Sequence, residues 1–371
     1  MLYRVRKAIR YVEIRVKNLV ILMSDRSLTV GNTYYPEKNG HKTRTEVFFD
    51  QLRWIMKYGY VNHYYFLFGF DIKGFRDQSQ YVDYYGEFYP IRNSLNMSPR
   101  SHFLILRDKS LFGVFAQSFG FATPRNVGIF QNGTFYDYES RKCLPISEFI
   151  TNNSIMKRTD GGGYFLKEID SECADGVYRI FIKEGKTYYN GNAINIHDLV
   201  EKGSRILLQC AVINQHPAIS AIFPNAINTI RLVTVRNSET HDIEVFGCLL
   251  RVGTKNSSVD NWAAGGLIIG INIEDACLLK EGYFKPGYGT RVNEHPDTHI
   301  KFEGYRIPYL KEAISEAKEF HRMLYGLHSI GWDIGITEEG PIFIEGNENW
   351  EITIHQVCDH GLRVEFDRVF K

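Results

Sequence analysis

Residues 329–349 constrain this chain most. Ser329-Ile330-Gly331-Trp332-Asp333-Ile334-Gly335-Ile336-Thr337 and Gly340-Pro341-Ile342-Phe343-Ile344-Glu345-Gly346-Asn347 are two apolar stretches joined by Glu338-Glu339-Gly340. Alternating apolar residues on either side of a Gly/Pro turn predict a β-hairpin. In that register Asp333, Glu345 and Asn347 can point to one side, and Glu345 and Asn347, two apart on one strand, share a face. Two carboxylates and an amide oxygen form a hard-oxygen set of the kind Mg²⁺ takes, with water and phosphate oxygens filling the rest of its shell. The same residues also read as a polar strand end, and what precedes the hairpin has to decide.

The chain has 371 residues, 44% hydrophobic and 23% charged, which is ordinary globular composition. That length suggests two or three domains, or one domain with lobes. Basic and acidic residues balance at 44 against 43, giving no reason to expect nucleic acid, which requires a clustered basic face. The 23 Tyr and 25 Phe fit a large core, although Tyr-rich surfaces also suit sugar or protein contacts. Six Cys, at 143, 173, 210, 248, 277 and 358, show no CxxC. A disulfide framework or zinc site is therefore not expected, and a cytoplasmic location is. The apolar run Leu19–Met23 is too short for a bilayer span or a signal peptide.

At the start, Arg4, Arg6, Lys7, Arg10, Arg15 and Lys17 face one acid, Glu13, while Leu2, Val5, Ile9, Val12 and Val16 recur at three- or four-residue steps. This predicts a basic amphipathic helix, which either packs on its own protein or docks peripherally, through residues 1–23, on an anionic membrane surface. A helix is expected around Val47–Tyr58, then the aromatic run Tyr64–Asp71. Asp108 can cap a helix that places Lys109 in its first turn, where a cation gains nothing from the dipole and can meet an anion. After Gly161-Gly162-Gly163, the strands 164–169, 177–182 and 186–189 form a meander, with a loop at 170–176. Lys167 lies beside that loop, within reach of a nucleotide phosphate, and Lys157 competes if the triple Gly is the flap. A helix at 197–202 precedes the apolar strand 205–213, which runs into Asn214-Gln215-His216-Pro217. Its backbone there can act as a hinge that reads a purine edge. Arg231 and Arg251 interrupt two apolar strands, and a half-buried Arg needs an anionic partner. That partner is a structural carboxylate or a phosphate oxygen. Val259–Gly266 is polar and Gly-rich, and helix 309–326 has a core face of Leu310, Ile314, Ala317, Phe320 and Leu324. No Walker, GxSxG or GxGxxG pattern is present.

Several phrases in order carry a resemblance: Gln215-His216-Pro217, Asn228-Thr229-Ile230-Arg231, Val259-Asp260-Asn261 with Gly265-Gly266, His295-Pro296-Asp297-Thr298, Gly331-Trp332-Asp333 and Gly340–Asn347. Together with Lys109 and Lys167 they resemble the ATP-grasp superfamily, and more narrowly the sugar-transfer-associated ATP-grasp family, which is related to D-alanine–D-alanine ligases. The resemblance implies an α+β ATP-grasp fold, two lobes clasping ATP, preceded by a further N-terminal domain: 1–106, 107–205 and 206–371. It implies ATP contacts from Lys109, Lys167 or Lys157, from Gln209, Cys210, Ala211 and Val212, and from Gln215. Mg²⁺ would sit on Asp333, Glu345 and Asn347, Arg231 and Arg251 would act in catalysis, and Asn228, Asp260, Asn261 and His295 would meet substrate. D-alanine–D-alanine ligases carry an arginine just before the metal-binding aspartate, where this chain has Gly331-Trp332, so either the oxyanion role falls to Arg231 or Arg251 or the acceptor chemistry differs. The 170–176 flap has one Gly, so its phosphate contacts depend on closure. The implied activity is joining a carboxylate to an amine on a sugar or amino acid during surface-polysaccharide assembly, at the inner face of the membrane. The alternatives are a kinase of the same fold and a non-catalytic accessory protein.

Overall fold

The computed structural model describes residues 2–96, 101–151, 163–169, 177–183, 186–200, 205–255 and 260–371. It opens with α1 (Leu2–Ser24) and α2 (Arg44–Tyr58). A reciprocal capping box between Thr43 and Glu46 starts α2, and left-handed Gly59 (φ 93°) ends it, each satisfying backbone groups that the helix leaves unpaired. The aromatic run after α2 forms neither helix nor strand. Residues 64–71 are successive turns whose rings are buried, with Tyr65, Phe68 and Phe70 packed against Leu249, Ile268 and Tyr283. Next come α3 (Tyr89–Asn96), α4 (Ser101–Arg107) and α5 (Lys109–Ser118).

Two antiparallel sheets follow. The smaller lobe carries β1 (Asn126–Gln131), β2 (Thr134–Asp137), β3 (Lys142–Pro145), β4 (Tyr164–Glu168), β5 (Val177–Lys183), β6 (Lys186–Tyr189), β7 (Asn192–Ile194) and β8 (Ile206–Cys210). They lie in the order β3-β2-β1-β8-β4-β5-β6-β7, over a separate core that includes Phe130, Phe135, Phe149 and Leu166. The expected helix 197–202 is replaced by one 3₁₀ turn at Ile196–Asp198, capped by the Asn195 side chain. Residues 201–204 fall outside the described set, as do Lys157 and the 170–176 loop.

The larger sheet contains β9 (Thr229–Arg236), β10 (Ile243–Val252), β11 (Leu267–Asn272), β12 (Cys277–Phe284), β13 (Arg291–Val292), β14 (Ser329–Thr337) and β15 (Gly340–Asn347), ordered β13-β12-β11-β10-β9-β14-β15. Consecutive residues Leu249/Leu250 and Ile268/Ile269 enter opposite cores, as period-two side chains must when a sheet is covered on both faces. On one face lies α6 (Leu310–Met323), through Leu310, Ala313, Ala317 and Phe320. On the other lie residues 34–81. The division at 106 and 205 is therefore a proposal about units of motion: the smaller lobe has its own core, whereas residues 34–81 share theirs with the larger sheet. The chain ends in α7 (Thr353–Cys358) and α8 (Arg363–Phe370).

Phe320 joins helix to sheet. Its ring stacks on Phe121 at 4.5 Å and meets Trp332 at 4.8 Å and Phe343 at 5.4 Å. Beside it, the Trp332 indole donates to Thr234 Oγ1 at 2.8 Å. Because Leu327 O can only accept, His321 Nε2 carries the ring proton toward it, and Nδ1 accepts the Thr234 hydroxyl. Burial pushes the His321 imidazole down to about 3. Phe320→Ala should cost about 3–5 kcal/mol in denaturant unfolding. Folding stability should also fall with acidification, since below its ordinary value of 6.5 the unfolded histidine binds a proton that the folded one refuses. His321→Gln should remove about 1 kcal/mol of the stability loss between pH 6.5 and 5.5, read from paired urea curves.

Candidate functional site

A cleft of about 1060 Å³ opens between the two sheets. On the side of the smaller lobe, Asp108 caps α5, which itself packs on the larger sheet's core through Phe112 and Ala116, by accepting from the amides of Ser110 and Leu111 at 2.9 and 3.0 Å. This places Lys109 at the first turn, where its ammonium reaches Glu168 O at 3.2 Å on β4. Lys167 projects from β4 and donates to Gln209 Oε1 at 2.8 Å, and Gln209 in turn donates to Asn126 Oδ1 at 2.8 Å. Burial, reinforced by the neighbouring positive Lys109, holds the Lys167 ammonium down at about 8 against the pull of Glu345. An incoming anion would relieve that cost.

The opposite wall is the face of the larger sheet that bears Asp333. Asp333 on β14 lies between Arg231 on β9 and Glu345 on β15 as cross-strand partners, so the three side chains stand on one face. Arg231 binds it bidentately, Nε to Oδ1 at 2.6 Å and Nη2 to Oδ2 at 2.9 Å. Arg251 donates from Nη1 to Asp333 Oδ2 at 3.0 Å and from Nη2 to Asp260 Oδ1 at 2.9 Å. Asp260 also accepts from the amide and hydroxyl of Thr229. Burial alone would raise the Asp333 carboxyl, but the two guanidiniums outweigh it and hold it far below the usual carboxylate range. Glu345 moves the other way, raised by burial and by the negative Asp333.

The two carboxyl groups face each other across the ladder, so the negative Asp333 disfavours a second charge on Glu345, and a divalent cation would relieve that repulsion. Asn347, whose amide sits 3.3 Å from Glu345 Oε1, lies beside them, and the three residues would hold that cation. All the donors are hard oxygens, so the set fits Mg²⁺. Among the described residues no group of three His, Cys, Asp or Glu gathers to hold a metal, and Asn347 would supply the third protein oxygen.

A bulge makes this arrangement possible. Asp333 opposes Glu345 but Ile334 opposes Phe343, leaving Ile344 as the extra residue. Phe343 therefore faces the α6 core while Glu345, two residues on, faces the cleft. Gly331 lies on the same face as Asp333, and a Cβ there would meet Trp350 Cβ at 2.7 Å. An arginine at 331 has no room, and the Trp332 side chain points to the opposite face.

Of the other expected residues, Gln209, Cys210, Val212, Gln215, Asp260 and Asn261 line the cleft. The amides of Cys210 and Ala211 donate to Arg125 O and Gly163 O. The Asn261 side chain accepts from Ala263 N. Asn228 and His295 are not brought to the cleft. Asn228 is fully buried, donating to Ile219 O and Phe223 O and accepting from Gly253 N. His295 is likewise buried, bonded to Gly253 O at 2.9 Å and accepting from Asp297 N. Both tie loops together, and neither lines the cleft where the resemblance placed them against substrate. Arg179, Lys285 and Glu351 also line the cleft, and sequence reasoning passed over them. Alternation along β5 (Val177, Arg179, Phe181) was the signal for Arg179; nothing in the sequence placed the other two.

Several solved ATP-grasp-type ligases are similar in structure. D-alanine–D-alanine ligase from Helicobacter pylori shares 10% identity over 72% of this chain and 58% of its own, with a TM-score of 0.39. L-amino acid ligase from Bacillus licheniformis shares 10% over 74% and 50%, TM-score 0.39. N5-carboxyaminoimidazole ribonucleotide synthetase from Thermotoga maritima shares 14% over 68% and 44%, TM-score 0.35. The chain thus spans about half the length of these proteins, and likeness at this level carries nothing about substrate. No curated protein sequence matches. The profile of the sugar-transfer associated ATP-grasp family matches residues 91–371, and the chain belongs to that family. The fold is accordingly α+β ATP-grasp, with a helical region ahead of it.

Removing one partner of a buried ion pair strands the other. Asp333→Ala, which strands Arg231 and leaves Arg251 with Asp260 alone, should cost about 3–5 kcal/mol, whereas Glu345→Gln should cost about 1 kcal/mol or less, because it removes the repulsion between two facing carboxyl groups. Urea unfolding at neutral pH without divalent cations reads both.

Proposed function

We propose that the protein is an ATP- and Mg²⁺-dependent ligase that joins a carboxylate to an amine on a sugar or amino acid, within surface-polysaccharide assembly. The observation that carries this reading is the division of charge across one cleft. Lys109 and Lys167 stand on the small-lobe wall, and Arg231, Arg251, Asp333, Glu345 and Asn347 on the other. Phosphoryl transfer asks mainly for positioning and charge neutralisation, which such a set supplies.

In this reading Lys109 and Lys167 hold ATP phosphates, and the Gln209–Val212 strand end with Gln215 flanks the base. Asp333, Glu345 and Asn347 hold Mg²⁺, which when bound neutralises charge on the phosphate oxygens. A substrate carboxylate oxygen attacks the γ-phosphorus and ADP departs, leaving an acyl phosphate. The amine nitrogen then attacks the acyl carbon, inorganic phosphate departs, and the nitrogen loses a proton. Arg251, fixed between Asp260 and Asp333, and Arg231 present fixed positive charge to the oxyanion that develops. Because both are anchored, they need not reorganise as charge appears.

Purified protein given ATP, Mg²⁺, candidate carboxylates and hydroxylamine should yield ADP and a hydroxamate. Lys167→Ala and Glu345→Gln should each lower kcat/KM by at least about a hundredfold. A phosphorylated hydroxyl without hydroxamate would identify a kinase instead. The reading fails if no ATP binds with Mg²⁺ and Glu345→Gln changes nothing. A mass-spectrometric screen of carboxylates against amino sugars would then name the substrates.

A further inference from the structure

Helix α1 is apolar on two opposite faces. The inner one holds it to the protein. Asn18 Oδ1 accepts from Val61 N at 3.1 Å, Arg15 donates to Met56 O at 3.2 and 3.1 Å, and Leu22 joins Leu28, Ile55 and Val61 in a small core with Leu19 and Ile21 beside it. The outer face carries Ile9, Val12, Val16, Val20 and Met23, spaced by three or four residues and between 51% (Ile9) and 70% (Met23) exposed. At 100° per residue these five lie on one stripe about 21 Å long, turned away from Asn18 and Leu22. Val and Ile are mediocre helix formers, so helix propensity does not account for them at solvent-facing positions, and a contiguous exposed stripe of this kind marks an interaction surface.

Charge selects the occupant. Helix α1 has six basic residues against one acid, a net of +5 in a chain whose total is +1. Arg6, Arg10 and Lys17, all exposed, fall together along one border of the stripe. Two copies pressed stripe to stripe would bring those like charges together. A nucleic acid would use the basic border and leave the apolar residues wet. Among the described residues no helix is long and apolar enough to cross a membrane. An apolar stripe bordered by Arg and Lys is what a helix needs in order to lie in the headgroup region of an anionic bilayer. We propose that α1 docks this protein on anionic lipid, the stripe entering the acyl boundary and Arg6, Arg10 and Lys17 meeting headgroup phosphates and carboxylates.

The test is flotation of the full chain with phosphatidylcholine vesicles, with and without phosphatidylserine. Binding should be at least about tenfold stronger with phosphatidylserine and should weaken as salt rises. Val16→Glu/Val20→Glu and, separately, Arg6→Glu/Arg10→Glu should each abolish it. Both pairs are exposed, so the thermal unfolding midpoint should not move, which separates lost docking from lost folding. Equal binding to both vesicles, or full binding by the stripe variant, overturns the proposal. So does a solution dimer that Val16→Glu/Val20→Glu dissociates while wild type ignores vesicles, and so does tighter retention on duplex DNA than on lipid. None of these readouts involves nucleotide turnover, so the outcome stands apart from that of the ligase reading.

Discussion

Asp333 is a buried carboxylate held between two guanidiniums, and much of the larger sheet is arranged to make that tenable. An isolated charge in this position would be untenable. Arg231 and Arg251 answer it from two successive strands, and Asp260 answers the second Arg251 nitrogen. Four charged side chains therefore close a network in which each group has a partner across a strand boundary. Such a network is weak evidence for stability, because desolvation offsets much of the attraction. Its physical consequence is fixity. The cleft wall presents positive charge in a set place, next to the carboxyl group of Glu345.

The bulge at Ile344 is the second constraint. In an unbroken strand Phe343 and Glu345 would share a face, and the hairpin would have to choose between a core ring and a cleft carboxylate. One extra residue lets it have both. Phe343 packs on Phe320 and Phe121 while Glu345 opposes Asp333. Core and site thus meet within three residues, and a change to the packing under α6 is transmitted to the carboxyl pair with little slack.

The hairpin itself was legible because alternation and a Gly/Pro turn have a period that can be counted. Its bulge was not, since a one-residue slip leaves that pattern almost unchanged. The need of Arg231 and Arg251 for anions followed from their apolar neighbours, but Asp260 and Asp333 as the partners depended on strand order. Asn228 and His295 misled for the converse reason. A polar residue in a loop declares its chemistry, yet here backbone carbonyls and an amide from other segments consume it. Residues 64–71 were opaque because turns have no period, and their burial comes from β10, β11 and β12, far along the chain.

Gly331 and Arg231 show how strand pairing supplies a charge that the residues just before Asp333 do not. A residue two before Asp333 would stand on the same face, but Trp350 fills the space above Gly331. A residue directly across the ladder is closer still, with Cβ atoms typically about 4.5–5.5 Å apart against a longer step along the strand. Arg231 occupies that cross-strand position. The guanidinium reaches the same carboxylate from the neighbouring strand, so Gly331 and Trp332 remove an arginine from the sequence neighbourhood without removing its charge from the site. Trp350, which takes the space above Gly331, also packs against Phe88 and Phe246 in a buried core. That ring, together with Asn96, whose side chain donates to Ser329 O and Glu348 O, ties residues 84–96 to the sheet that bears Asp333.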